Sequence, residues 1–151
     1  MSQALDQADL IRARLLAAPA PGELPTPLVL AEVAPVIVDR QKNLLPEVTK
    51  AVEKTKGCAI IILWTGFTVA DKNSRTPRLS HGYRLTVISQ PVLAGANRPA
   101  DDIIESILLR LWHWRPGGGH AFGEVQIGTG ALVPNESYLI YEIELTIPAS
   151  L

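Results

Sequence analysis

The ten residues LWHWRPGGGH, from Leu111 to His120, gather two tryptophans, two histidines, an arginine and three glycines. That composition raises two chemistries: anion binding by a glycine loop, and metal binding by imidazoles. A phosphate loop needs a strand, then glycines, then a helix whose first amides face the anion. Here an amphipathic helix comes first, so the glycines follow its partially negative end, which repels phosphate. Neither GxxxxGK[ST] nor GxGxxG occurs in the chain. The histidines are His81, His113 and His120, and no carboxylate lies among the last two. Zinc sites usually take three or four ligands, some at short regular spacing, so no metal and no cofactor is expected.

A structural reading accounts for the same segment. His113 and Arg115 complement the helix dipole, Pro116 stops the helix, and the glycines permit a left-handed reversal into a strand. Trp112 and Trp114 stand two apart, so on a helix they diverge. Either both are covered within the monomer, or one anchors a subunit boundary.

The remaining candidates are sparse. Neither GxSxG nor HExxH occurs. Asp101, Asp102 and Glu105 lie where a helix start attracts carboxylates. Glu142 and Glu144 share one strand face, as a paired-carboxylate site would, but also as solvated acids do. The lone Cys58 opens an apolar run and reads as a small buried hydrophobe. Residues 71–81 hold Lys72, Arg75, Arg78 and His81 against one acid, Asp71, a small basic patch at a hairpin tip.

These residues must be positioned by the elements around them. Leu5, Ala8, Ile11 and Leu15 mark an N-terminal helix within residues 1–18. A proline linker, residues 19–27, is stiff and extended. Residues 28–38 read as a strand, with Pro35 confining it to an edge or a bulge. Asn43 to Gly57 carry a helical stripe of Leu45, Val48, Val52 and Thr55. Residues 58–70 and 82–93 form a long hairpin, with a bulge at Gly66. Residues 98–114 give the strongest helix, with Asp101 as its cap. Residues 121–134 are a glycine-interrupted strand or strand pair, Asn135 and Glu136 turn the chain, and residues 137–151 alternate cleanly. Runs of adjacent strands with separate helices imply one α+β domain over residues 1–151. Its sheet is mixed and mainly antiparallel with helices on one face, in the order α-β-α-β-β-α-β-β.

Composition narrows the partners. The chain has 151 residues, 47% hydrophobic and 19% charged, with a net charge of −1. Near-neutrality disfavours global attraction to nucleic acid or anionic membrane and does little to keep copies apart. There is no signal-peptide pattern and no apolar run of about 18 residues, so a soluble protein made in the cytoplasm is expected.

The hairpin ILWTGFTVADKNSRTPRLSHGYRLTVISQP, the helix ADDIIESILLRLW and the strand YLIYEIELTI resemble, in order and pattern, the tail terminator and minor tail proteins of long-tailed bacteriophages and prophages. The proline linker and the RPGGGH loop lie outside that pattern. The resemblance implies a structural protein of the virion, assembled in the host cytoplasm, and not an enzyme. It implies a homo-oligomeric ring, typically a hexamer, that caps the tail tube and joins it to the head. The partners would be sibling copies, the tail tube protein and a head-completion protein, with DNA passing through the lumen without specific binding. On this reading Lys72, Arg75, Arg78 and His81 make loop contacts, and Trp112 or Trp114 lies near a subunit boundary. The alternatives are a small enzyme using His81, His113 or His120 with Glu142 or Glu144, and a ligand module using the Trp112 to His120 loop.

Overall fold

A computed structural model of the chain describes residues 2–39, 58–71, 73, 75–89, 100–117, 121–133 and 138–150. Its helices are α1 (Gln3–Leu16), α2 (Leu30–Val33) and α3 (Ala100–Leu111). Its strands are β1 (Val36–Val38), β2 (Cys58–Asp71), β3 (Arg78–Ser89), β4 (Ala121–Phe122), β5 (Gln126–Val133) and β6 (Leu139–Ser150). They form one mixed sheet, β1-β2-β3-β6, with β4 and β5 both pairing along the far edge of β6. β1 is parallel to β2 and every other pairing is antiparallel. The α+β class and single sheet therefore agree with the sequence reading. The helix expected over residues 43–57 lies outside the described residues, as does the turn at Asn135 and Glu136.

One expected strand is replaced. Residues 28–38 fold first into the short helix α2 and only then into β1. Leu30 and Val33, three apart, bury one helical face. Ala34, before Pro35, is extended at φ −151° and ends the turn, because the proline ring disfavours helix in the residue before it. The Pro35 carbonyl accepts from the amide of Ile60, so this segment does take the expected edge.

Helix α1 starts at Ser2, whose hydroxyl accepts from the Leu5 amide at 3.3 Å. Its Ala8, Ile11 and Leu15 are buried, so the helix is part of the core. Helix α3 begins at Ala100, which places Asp101 in the first turn instead of at the cap. It buries Ile103, Ile107 and Leu111, while Ile104 and Leu108 flank the core. In the sheet, Ile60, Ile62, Tyr83, Leu85, Val87, Ile143, Leu145 and Ile147 face these helices. A fully buried Ile or Leu contributes about 1.5–3 kcal/mol, so this face is the main source of stability. Among the described residues, the opposite face holds a small cluster of Ala59 and Ile61 with Ile88 and Tyr138.

The linker does more than span. Ala20, Pro21, Gly22 and Glu23 close a turn through the Glu23 amide on the Ala20 carbonyl, with Gly22 at φ 87°. Proline then a left-handed glycine is a type II turn. It delivers Glu23 to Arg14 (2.9 Å) and to the buried Arg110. Arg14 Nε donates to the Arg110 carbonyl, and Arg110 Nη2 to the Arg14 carbonyl, so each helix end caps the other. The two guanidinium groups hold the Glu23 carboxyl down at about 2.

Candidate assembly surface

The β2–β3 hairpin runs past the part of the sheet that β1 covers, because β1 pairs only with Ile60, Ile61 and Ile62. From Leu63 onward that edge of β2 has no strand partner among the described residues. Gly66, at φ 127°, sits at the expected bulge, where pairing shifts between Trp64 and Gly66. The bulge moves Phe67 and Val69 onto the helix-side face, so Trp64, Phe67 and Val69 follow one another there. Their exposures are 42%, 56% and 46%. Three large apolar side chains left open on one strand are unusual for an isolated surface.

Beneath them lies His81, which pairs with Phe67 across the hairpin. The sequence reading put His81 with the loop cations. Instead it lies within β3 and is buried, because alternation from Tyr83 turns it toward α1. The Trp64 indole N–H points at His81 Nδ1 (3.2 Å), and His81 Nε2 lies 2.8 Å from Gln3 Oε1. A donor at Nδ1 and an acceptor at Nε2 fix the neutral imidazole with its proton on Nε2. Burial pushes the imidazole below its ordinary range. Tyr83, two residues on, places its hydroxyl 2.8 Å from both the Ala4 carbonyl and Gln7 Oε1, and burial raises it well above the usual phenol range. The start of α1 is thereby fixed onto the hairpin. An open apolar groove of about 480 Å³ remains between Gln3 to Leu5, Trp64, Phe67 and Leu79.

The loop cations divide. Arg75 is exposed in the turn. Arg78 is the first residue of β3, opposite Asp71, and is exposed. Lys72 and His120 lie outside the described residues. Glu142 and Glu144 form no isolated acidic pair: Arg84 on the neighbouring strand contacts Glu144 at 2.7 Å and Glu142 at 3.7 Å.

At the helix end the structure revises a mechanism. Helix α3 stops at Leu111, and the left-handed residue is His113 at φ 53°, not a described glycine. His113 Nδ1 contacts Glu124, which ties the reversal to the segment before β5. Trp114 is partly buried against the core, with the Arg14 guanidinium 5.7 Å from its ring centroid. Trp112 is 57% exposed and stacks edge-on against His113. Of the two tryptophans, Trp112 is thus the free one.

These placements do not bring His81 together with Glu142 or Glu144, and His120 lies outside the described residues. The sheet lies between His81, on the helix side, and Glu142 and Glu144, on the other. His113 is engaged by Glu124. Among the described residues, no group of three or more His, Cys, Asp or Glu is placed to hold a metal ion. No helix among them is long and apolar enough to cross a membrane.

A second hollow, about 300 Å³, opens at the opposite sheet edge. Its lining includes Ile104, Gly130, Leu132, Tyr141 and Glu142. Leu132 there is 54% exposed. Neither hollow is lined by Trp112. Sequence reading missed both hollows and the Glu23 clamp, although PG followed by an acid was a visible signal for the turn. Compared with known families and curated proteins, the chain matches no family model and no curated sequence.

Proposed function

We propose that the chain is a structural assembly protein whose copies form a closed ring, and that it serves as a tail-completion subunit of a phage or prophage particle. It works by shape and interfaces, without a cofactor. The observation that carries this reading is the apolar strip Trp64, Phe67 and Val69, left open on a strand whose edge has no partner among the described residues. Such a strip is a liability in a monomer and a natural joint in an oligomer. The exposed Arg75 and Arg78 at the hairpin tip supply cations for a neighbouring ring or for modest contact with passing DNA, where stronger charge would hold the polymer. Negative-stain electron microscopy of the purified protein, alone and with tail tubes, tests the reading. Rings seated at one tube end support it, and unaltered tubes with dispersed protein oppose it.

The groove of about 480 Å³ favours a second reading, a module that binds a small apolar ligand. A ligand would raise the melting temperature of the dispersed protein, whereas a ring subunit is stabilised by its own concentration.

A further inference from the structure

Two edges of the sheet that lack a strand partner among the described residues are complementary. One is β2 from Leu63 onward and the other is β5. Apart from Asp71, neither carries a charged residue or a proline to guard it, though each has a register irregularity, at Gly66 in β2 and between Ile127 and Gly130 in β5. Direction also matches. From β2 to β3, β6 and β5 there are three antiparallel steps, so β5 runs opposite to β2. A neighbour in the same orientation therefore presents its β2 antiparallel to β5.

We propose that copies join head to tail by pairing β5 of one with the open half of β2 of the next, with Phe67 seated in the neighbour's hollow over Gly130. The closing of this row into a ring, and the stagger that closure imposes, rest on the reading above. Register supports the pairing. Gly130 lies opposite Ile143, which lies opposite Leu85, which lies opposite Ile62. Without stagger, the Gly130 stretch would meet the part of β2 that β1 occupies. Closed tilted sheets stagger by about one residue per strand, hence about four across one subunit. A shift of that size, in the direction that clears β1, brings Gly130 level with Gly66 and Phe67.

The faces agree as well. Phe67 and Val69 share the face of His81, and Leu132 shares the face of Tyr141, which is the helix side in both cases. Apolar side chains thus meet apolar side chains across the joint, and an aromatic ring covers a strand glycine that lacks a side chain to pack. The contact is heterologous, one patch against a different patch, as a ring requires.

Cysteine cross-linking tests the joint with the full chain and Cys58 left in place, since Cys58 is buried. Thr68 and Thr129 are exposed on the two edges, as are Thr65 and Ala131. The double variants Thr68→Cys with Thr129→Cys, and Thr65→Cys with Ala131→Cys, should give ladders of covalent oligomers under mild oxidation. Mixing the Thr68→Cys chain with the Thr129→Cys chain should give a dimer that neither forms alone. Self-cross-linking of Thr68→Cys alone would mean an isologous contact and overturn the joint. So would oligomers seen by light scattering without ladders in either pair, which leaves the ring reading standing on another interface. A monomer at every concentration, with no cross-links, would overturn both.

Discussion

Phe67 and His81 are register partners on one face of the hairpin, with ring centroids 6.4 Å apart, yet the imidazole is buried and the phenyl ring is open. The N-terminus of α1 covers one and stops short of the other. This boundary divides the protein's own core from the surface assigned to assembly. A change at Phe67 is accordingly expected to alter association and not folding. Phe67→Ser should keep the circular dichroism of the parent, and its melting temperature at dilutions where both are monomeric, while losing the rise in melting temperature that the parent shows with concentration.

His81 gives the fold a pH dependence of known sign. Burial lowers its folded-state value below the ordinary 6.5, so the unfolded chain binds the proton more readily. Stability is full above the unfolded value and falls as pH drops from about 6.5 toward the folded value. Melting temperatures at pH 7.5 and 5.5 should differ in the parent, and by less in His81→Leu. Equal differences in the two proteins would show that His81 is not the group responsible.

Glu23 is expected to matter more than an exposed linker acid ordinarily does. Glu23→Gln leaves the buried Arg110 without its carboxylate, and thermal unfolding should shift down by more than it does for a change in the Arg84 to Glu144 pair. Arg84→Ala, at a half-exposed pair, should cost no more than about 1 kcal/mol. The Glu23 contribution is present above pH 4.5 and is lost as pH falls toward about 2.

How far the sequence disclosed this arrangement depended on the reach of each signal. The clean alternation over residues 137–151 and the hairpin arm over residues 82–93 were legible as strands, and β6 and β3 lie within them, because alternation is a local consequence of strand geometry. Gly66 disclosed its bulge for the same reason. Residues 28–38 were misread because apolar side chains in a short run satisfy a helical turn as well as a strand. His81 was misplaced because its neighbours in sequence are polar loop residues, while its neighbours in space are Gln3 and Trp64. The Glu23 clamp joins residues 14, 23 and 110, a relationship no local pattern contains.

The hairpin tip should be separable from the fold. Arg75→Ala with Arg78→Ala removes two exposed cations, and stability should change by no more than about 1 kcal/mol, about 0.5 for each. In a phage or prophage that depends on this chain, tail joining should be impaired. An unchanged infectious titre would count against the loop.

The helix–sheet core should behave conventionally. Ile107→Ala, on the buried face of α3, is expected to cost about 2–5 kcal/mol in chemical denaturation. A smaller loss would mean that α3 packs less closely on the sheet than described.

The central claim is that the open strip of β2 joins copies of the chain, and sedimentation velocity over a concentration series tests it most directly. The parent is expected to sediment as a species of several copies, and Phe67→Asp as a folded monomer at the same concentrations. A parent that sediments as a monomer throughout, or a Phe67→Asp chain that assembles as well as the parent, would contradict it.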